Sequence, residues 1–267
     1  MADRAERGEH QNINRASLVL AALAEAAEDG LRMTDVSEET GLGKATSHRL
    51  LAGLVQNGLA EQDPSTGRFY LGLRLVTWAN TARKRFGLAP AASKSLKRLA
   101  KSTDDTVYLT LRSGDQAVCI DRREGAFPIK TLSLRVGDRR PLGIGSGSLA
   151  ILAGLPEDEC EDILASQAEA RRPFGIDDAS LRDSIRSTRD RGFAWIEGDI
   201  VPGMNAVAVA IRRDDGHAIA ALSVTAISTR LQGGRRDFVV AQLRTEAERI
   251  EREASALLSN ELMLRSA

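Results

Sequence analysis

Apolar residues near the N-terminus recur at the three- and four-residue spacing of an amphipathic helix. Leu18, Leu20 and Leu23 predict a first helix that starts near residue 14 and ends near residue 30. The polar, mixed-charge segment 1–12 before it is expected to be disordered. We expect the apolar face of the first helix to pack behind the helices that follow.

Residues 33–60 predict two short helices joined by a glycine turn. Thr34 is expected to cap the first of them, because its hydroxyl can accept a hydrogen bond from a free amide of the first turn. Gly41 is expected to end that helix, since glycine enters the left-handed backbone region without a steric penalty. The second helix is expected to span about 44–57. This arrangement indicates a helix-turn-helix, which offers its second helix to the major groove of DNA.

The second helix of this pair has an apolar side and a polar side. The apolar side is predicted to carry Thr46, Leu50, Leu51, Leu54 and Val55. The other side carries small, polar or basic residues at the N-terminal turns, where a recognition helix meets base edges and phosphates. Of these, Lys44, Ser47 and His48 are expected to enter the groove. A change at Ser47 should therefore alter the preference among DNA sequences. An amphipathic helix pair in a bundle would also have a polar face, and that interpretation stays open here.

A predicted β-hairpin follows the helix pair. Residues 58–62 predict one strand, residues 63–67 (DPSTG) a turn, and residues 68–71 the returning strand. A helix-turn-helix followed by such a hairpin is a winged helix. Arg49 and Arg68 are expected to contact phosphate, which positions the protein without reading sequence. The predicted DNA-binding residues are Thr34, Lys44, Ala45, Thr46, Ser47, His48, Arg49 and Arg68.

Residues 71–86, after the wing, again have a helical pattern, with Trp78 on the apolar side. We expect this helix to connect two domains and to contribute a dimer contact. Packing of the same side against the first helix is the competing interpretation.

The chain after residue 88 mixes strands and helices. The predicted strands are 107–111, 117–121, 129–136, 193–197, 205–212 and 218–225. The predicted helices are 90–102, 149–155, 156–166, 179–191 and 235–259. Strand hairpins interrupted by helices indicate an α+β domain built on one antiparallel sheet with flanking helices.

Charge is distributed unevenly along the chain. The 37 basic and 37 acidic residues give a formal net charge of zero, which at first argues against a nucleic-acid partner. No acidic residue lies between Asp63 and Asp104, however, and basic residues are frequent there. They are Arg68, Arg74, Arg83, Lys84, Arg85, Lys94, Lys97, Arg98 and Lys101. Such a stripe is typical of a phosphate-binding surface, although a solvated helix face would have the same pattern.

Composition argues against several other classes of protein. A hydrophobic content of 42% and a charged content of 28% are ordinary for a globular chain. No apolar run approaches the roughly 20 residues that span a bilayer. Cys119 and Cys160 have no disulfide or metal-site spacing, and the three histidines stand far apart. We therefore expect a cytoplasmic protein without cofactor, metal site or membrane contact.

Residues 143–148 (GIGSGS) form a loop of glycine and serine before a predicted helix. The loop is not a P-loop, because no Gly-Lys-Ser/Thr follows. Its free amides and the helix dipole can hold a carboxylate. A tight turn that needs its glycines for backbone reasons is the alternative. Ser146 and Ser148 lack a nucleophile elbow and a nearby histidine, so we expect no catalytic residues and no enzyme.

In the order and spacing of its motifs, the chain resembles the IclR family of bacterial transcriptional regulators over residues 14–253. The motifs of the first domain are 46–51 (TSHRLL), Leu54, 58–59 (GL) and 70–72 (YLG). Those of the second are 136–137 (VG), 140–142 (RPL), 152–153 (LA), 155–156 (LP), 189–194 (RDRGFA), 202–203 (PG), 206–208 (AVA) and 220–224 (AALSV).

The resemblance implies a winged DNA-binding domain, a GAF-like effector domain, and dimers that often pair into tetramers. It also implies control of catabolic genes by a small metabolite, frequently a carboxylate or an aromatic acid. The effector cavity that it implies is lined by Gly145, Ser146, Met204, Asn205, Ala206, Ser223 and Thr225. The predicted bounds are a disordered N-terminus at 1–12, the winged domain at 13–72, a linker or dimerisation helix at 73–87 and the effector domain at 88–267.

The chain departs from the pattern of that family at two places. Gly143 stands where many members have a histidine, and 147–148 (GS) where many have Gly-Lys, so a lysine is missing near the loop. Gly43 stands where a proline often starts the recognition helix.

The interpretation that we favour is a DNA-binding regulator whose effector shifts the placement of two winged domains in a dimer. Two other classes remain open: an oligomeric DNA-binding protein without a ligand, and a small-molecule sensor or enzyme whose winged domain binds protein.

Overall fold

The helices and strands of the chain are given by a computed structural model, which describes residues 2–85, 88–130, 133–198 and 201–258. The chain divides into two units, Met1–Lys84 and Arg85–Ala267. The division falls inside the segment predicted as a linker. Each unit has its own hydrophobic core, so each is described separately. None of the described helices is long and apolar enough to cross a membrane.

The N-terminal unit is a helix-turn-helix followed by a small wing. Its elements are α1 (Ala2–Ala26), α2 (Met33–Thr40), α3 (Lys44–Gln56), β1 (Ala60–Gln62), β2 (Phe69–Leu71) and α4 (Leu73–Arg85). Gly41 has a φ of 67° and ends α2, as the sequence predicts. Strands β1 and β2 pair antiparallel, and Leu31 adds a single bridge to Phe69. Val19, Leu23, Val36, Leu51, Leu54 and Phe69 form much of the core between these elements.

Two expectations for this unit are corrected by the structure. Helix α1 continues back to Ala2, through the segment 1–12 that was expected to be disordered. That segment is rich in Ala, Arg, Glu and Gln, which favour helix, so its polarity alone does not exclude one. Thr34 is not the N-cap of α2, because the helix begins at Met33 after the extended residue Arg32. The carboxylate of Asp35 instead accepts a hydrogen bond of 2.9 Å from the amide of Arg32.

The C-terminal unit is built on one six-stranded antiparallel sheet, in the order β5-β4-β3-β8-β7-β6. The strands are β3 (Thr106–Ser113), β4 (Gln116–Arg123), β5 (Arg139–Pro141), β6 (Ala194–Glu197), β7 (Met204–Arg212) and β8 (Ala218–Ile227). The helices are α5 (Leu88–Thr103), α6 (Ser146–Ala153), α7 (Glu157–Ser166), α8 (Ala168–Arg171), α9 (Asp178–Arg191) and α10 (Gly233–Leu258). The predicted α+β class is therefore confirmed.

Each face of the sheet packs against its own set of helices. On one face, α5 and α10 cover alternate residues of the central strands, including Val107, Leu222 and Val224. On the other face, α6, α7 and α9 cover Ala208 and Ala221. Side chains alternate along a strand, so successive residues of β7 and β8 face the two opposite sides of the sheet. This alternation decides which residues can reach a cavity under α6.

The predicted strand at 129–136 is wrong within the residues that the structure describes. Positions 128–130 and 133–138 are bends, turns and irregular backbone, and positions 131 and 132 lie outside the description. The short strand β5 lies instead at 139–141, just beyond the predicted strand, and pairs with β4. The apolar residues Ile129 and Val136 are exposed. Their spacing is typical of a strand, but the described part of this segment does not pair with the sheet.

A buried carboxylate holds the start of β3 against the segment that leads into α10. Asp105 is 3% exposed. It accepts a 2.7 Å hydrogen bond from Nε of Arg230 and a 2.9 Å bond from Nη2 of Arg235. The guanidinium of Arg230 also lies 4.2 Å from the ring centroid of Phe127. One carboxylate thus pairs with two arginines at the end of the sheet.

We expect Asp105→Ala to destabilise the C-terminal unit by about 3 kcal/mol, because it removes the counterion of two partly buried cations. Urea unfolding followed by circular dichroism measures the loss. Glu124→Ala is the control, since the ion pair of Glu124 with Arg122 is more exposed and should contribute little. Equal stability of the two variants would contradict the role assigned to Asp105.

Candidate DNA-binding surface and ligand pocket

Helix α3 presents one polar face to solvent. Lys44, Ala45, His48 and Arg49 are exposed, and their spacing places them on the same side of the helix. The opposite side packs into the core through Leu51 and Leu54. The exposed residues occupy the first two turns, as a groove-reading helix requires.

Ser47 is not part of this exposed face, and the prediction that it enters the groove is corrected. Its exposure is 0%, and its hydroxyl lies 3.5 Å from the carbonyl oxygen of Leu42. Ser47 precedes Leu51 by four positions and Leu54 by seven, which places all three on one side of the helix. That signal was present in the sequence. Val55, which was predicted to be on the apolar side, is 37% exposed.

The two predicted threonines differ in their surroundings. Thr34 is exposed on α2, and its hydroxyl donates to the carboxylate of Asp35 at 3.2 Å. Thr46 is half-buried on α3. Their roles toward DNA remain predictions.

Arg68 has a structural contact within the winged unit. Its Nη1 atom donates to the carbonyl oxygens of Asp29 at 3.1 Å and Gly30 at 2.8 Å. These bonds join the wing to the turn after α1. The predicted phosphate contact is therefore available only to the rest of the half-buried guanidinium, so Arg68 has a larger part in folding than the sequence suggested.

The predicted basic stripe is divided between the two units. Arg74 lies in the first unit, with its guanidinium 5.0 Å from the ring centroid of Trp78 and a 2.9 Å bond from Nη1 to the carbonyl oxygen of Asn57. Lys94, Lys97 and Lys101 are exposed on α5 of the second unit. The side chains of 83–85 lie outside the description. Exposed cations of α3 therefore remain the strongest candidates for DNA contact.

The second unit contains a pocket under the N-terminus of α6. It holds about 640 Å³ of space free of atoms, part of it open to solvent. Its walls come from all six strands of the sheet, from the loop before β5 and from the loop and first turn of α6. Six of the seven residues implied by the family resemblance line it, namely Gly145, Ser146, Met204, Ala206, Ser223 and Thr225.

Asn205, the seventh residue, faces the other side of the sheet, so the prediction that it lines the pocket is wrong. It is 0% exposed, and its Nδ2 atom donates to the carbonyl oxygen of Leu231 at 3.2 Å. Its neighbours Met204 and Ala206 reach the pocket, so strand alternation directs Asn205 toward α10. Its amide therefore supports the opposite core.

The start of α6 gives the pocket its polar end. Gly145 has a φ of 89°, a conformation that favours glycine. The amides of Ser146, Gly147 and Ser148 stand in the first turn, where no carbonyl four residues earlier is available to them. A Cβ atom on Gly147 would lie 2.9 Å from Oγ1 of Thr110, so glycine allows α6 to approach β3 closely. The loop thus needs its glycines for backbone reasons and also leaves amides near a cavity.

Several pocket residues were missed from sequence, notably Tyr108, Thr110, Cys119 and Arg140. Tyr108 and Thr110 alternate with the aliphatic residues Val107, Leu109 and Leu111 of a predicted strand, so their common face was foreseeable. Arg140 lies outside the predicted strands, and only the pairing of β5 with β4 fixes its direction.

Burial shapes the electrostatics of these groups. It raises the pKa of the Tyr108 hydroxyl and raises the pKa of the Cys119 thiol to about 12. Burial also lowers the pKa of the Arg140 guanidinium. The two neutral groups are therefore kept protonated, and Arg140 is the cation that lines the pocket together with the carboxylate of Asp138.

A winged helix with an exposed polar recognition face, in a chain whose second unit encloses a pocket, defines a DNA-binding regulator. Comparisons with known proteins agree. Residues 13–64 match the model of the IclR helix-turn-helix domain. Residues 80–252 match the model of the bacterial transcriptional regulator IclR C-terminal domain. The chain belongs to the IclR family of bacterial transcriptional regulators.

Individual relatives are similar over most of their length. The HTH-type transcriptional regulator XynR of Escherichia coli is 29% identical over 223 residues, covering 83% of this chain and 88% of that protein. The probable regulator ArcR of Halobacterium salinarum is 30% identical, covering 83% and 85%. An IclR homologue from Microbacterium hydrocarbonoxydans, solved in complex with 4-hydroxybenzoate, has a TM-score of 0.75 at 23% identity, covering 92% and 100%.

We expect Ser47→Leu and His48→Leu, the same change at adjacent positions, to differ in stability. Ser47 is enclosed by the core, so the larger side chain should destabilise the winged unit by about 1–3 kcal/mol. His48 is exposed, so its replacement should leave the melting temperature nearly unchanged. Thermal unfolding followed by circular dichroism separates the two cases, and an unchanged Ser47→Leu variant would contradict the assignment.

Proposed function

We propose that this protein is a sequence-specific DNA-binding regulator that responds to a small carboxylate, an organic or aromatic acid. The observation that carries the proposal is the pocket in the C-terminal unit, with free amides of α6 at one end. The protein would control catabolic genes, would act in the cytoplasm and would catalyse no reaction. The relatives are named as transcriptional regulators, which supports the non-enzymatic role.

The exposed face of α3 supports the DNA-binding role. In this proposal Lys44 and His48 would meet base edges, and Arg49 would pair with phosphate. Ala45 lies between them and allows close approach of the helix to the groove. Neutrality of the whole chain does not oppose this role, because screening confines exposed charges to a range of about 10 Å at ordinary salt.

The pocket supports the ligand-binding role. Backbone amides at a helix N-terminus favour an anion through hydrogen bonds and the helix dipole. Ile144, Ile196 and Met204 supply apolar walls nearby, which suit the body of an organic acid. The 4-hydroxybenzoate complex of the Microbacterium homologue shows an aromatic acid bound to a protein of the same fold.

Helix α4 supports self-association of the protein. Leu73 is 70% exposed, Val76 55% and Trp78 50%, an unusual set of apolar side chains to leave in water on one helix. We propose that a second copy covers them, to form a homodimer that pairs further into a tetramer. Effector binding would then favour one arrangement of two winged units and change the match to operator half-sites.

The enzyme alternative finds no support in the pocket. Ser146 and Ser148 are buried there, and the Ser148 hydroxyl donates to the carbonyl oxygen of Pro141 at 3.2 Å. Neither His48 nor His217 lines it. Among the lining residues that the structure describes, no histidine stands beside a serine hydroxyl to act as its base.

We expect the purified protein to bind DNA upstream of its own gene, and Lys44→Ala/Arg49→Ala to lose most of that affinity. Gel-shift titrations at two salt concentrations measure it, and loss of the Arg49 phosphate contact should reduce the salt slope by about 1. Lys94→Ala/Lys97→Ala is the control, since it removes two equally exposed cations from the other unit. Equal loss in both variants would show that α3 is not the reading helix.

We expect organic acids to change operator affinity of the wild type in the same assay. A ligand that binds one dimer arrangement better than the other shifts their equilibrium by its difference in affinity. Operator affinity that is unchanged by every acid that binds the protein would contradict the proposed control. It would favour a DNA-binding protein whose second unit only oligomerises.

A further inference from the structure

Two adjacent arginines on the short strand β5 point in opposite directions. Arg139 is exposed, and its guanidinium donates to Oε1 of Gln116 at 2.9 Å and to Oγ of Ser113 at 2.6 Å. Arg140 is half-buried and lines the pocket. The alternation of side chains along a strand accounts for the difference. One arginine therefore braces a surface hairpin, and its neighbour brings a cation to the pocket wall.

The guanidinium of Arg140 lies beside the first residues of α6. Its Nη2 atom donates to the carbonyl oxygen of Ser133 at 2.6 Å. Its Nη1 atom would lie 3.6 Å from a Cβ atom built on Gly145. A Cβ atom at Gly145 would therefore make an ordinary van der Waals contact with this nitrogen, so the cation lies next to the start of the helix. The positive group and the free amides of the first turn face the same region.

No carboxylate among the described residues forms a salt bridge with Arg140. Asp138 also lines the pocket, but it is exposed and its Oδ2 atom accepts a 2.7 Å hydrogen bond from the amide of Arg135. The ring centroid of Phe174 lies 6.0 Å from the Arg140 guanidinium, and an aromatic ring does not supply a counterion. A partly buried cation is costly without a counterion. The pocket thus presents a cation that no described carboxylate meets at salt-bridge distance, and Asp138 acts on it only through a longer-range Coulombic attraction.

We propose that Arg140 is the charged anchor of the effector and makes the pocket select a carboxylate over its neutral isostere. The inference rests on the proposed function, because it assigns a residue to the ligand pocket of that regulator. The carboxylate would pair with the guanidinium and accept hydrogen bonds from amides at the start of α6. A planar guanidinium holds a carboxylate through two parallel hydrogen bonds, which an amide group cannot reproduce.

The walls away from Arg140 define the remainder of the ligand. Ile144, Ile196 and Met204 contribute apolar surface, and Tyr108 and Thr225 contribute hydroxyls. A compact acid with a mainly apolar body and one polar substituent fits this distribution. The class of ligand is therefore a small monocarboxylate, and a dianion would meet no second cation among the lining residues that the structure describes.

The test compares acids with their amides on wild type, Arg140→Met and Arg139→Met. The probes are acetate, benzoate and 4-hydroxybenzoate, each beside its amide, with affinity measured by calorimetry and thermal shift. We expect the wild type and Arg139→Met to prefer at least one acid over its amide. Arg140→Met should lose about tenfold or more in affinity for that acid and little for the amide. Arg140→Lys should be intermediate, since it keeps the charge without the planar fork.

Two results would overturn the proposal. One is an acid preference that survives Arg140→Met, and the other is a wild type that prefers none of the acids. Should Arg140→Met fail to fold, an Arg140→Lys variant with undiminished preference would count equally against the planar pairing. Operator binding without ligand, measured on the same three proteins, separates this inference from the regulator role. Loss of acid selectivity in Arg140→Met, with DNA binding intact, supports the role of Arg140. A wild type that prefers the acid but binds no DNA contradicts only the regulator role.

Discussion

The ligand pocket depends on the close approach of α6 to the central sheet. Gly147 makes this approach possible, because any side chain there would meet Oγ1 of Thr110 at 2.9 Å. The small residues Ala208 and Ala221 continue the contact farther along the sheet. Strand β8, buried along nearly its whole length, then directs Ser223 and Thr225 under α6 and Leu222 and Val224 toward the opposite core. Small side chains below α6 thus leave room for the pocket, and the alternation of side chains along the strands turns polar residues toward it.

Charge in this molecule is used locally. Asp105 binds two arginines at the end of the sheet, whereas the exposed cations of α3 have no such burial and remain available to a polyanion. Arg140 is intermediate, since it is held by a carbonyl oxygen and approached by no carboxylate at salt-bridge distance among the described residues. A cation's surroundings therefore indicate its use better than its position in a basic run. The stripe of arginines and lysines that the sequence showed is distributed over two units with different contacts.

Most elements of the fold followed from local patterns, and the errors have identifiable causes. The winged unit, the helices α7 and α9 and the strands β3, β4, β7 and β8 lie where periodicity and glycine turns placed them. The prediction of a strand at 129–136 failed because alternating apolar and polar residues suit a sheet but do not ensure that a partner strand lies beside them. Thr34 failed as a cap because α2 begins one residue earlier, at Met33, with Arg32 in the N-cap position. Ser47 was misassigned although its spacing to Leu51 already placed it with the core.

The sequence by itself determined the order of elements, the winged helix, the family resemblance and the glycine-rich start of α6. These rest on short-range periodicity and backbone preferences, which neighbouring residues impose on one another. Only the tertiary structure decided which of the two faces of β7 meets the pocket, and so placed Met204 and Ala206 there and Asn205 on the opposite side. It also turned Arg140 inward and Arg139 outward, because a three-residue strand acquires a direction only through its pairing with β4. Long-range contacts of this kind join positions distant in sequence, where no local pattern records them.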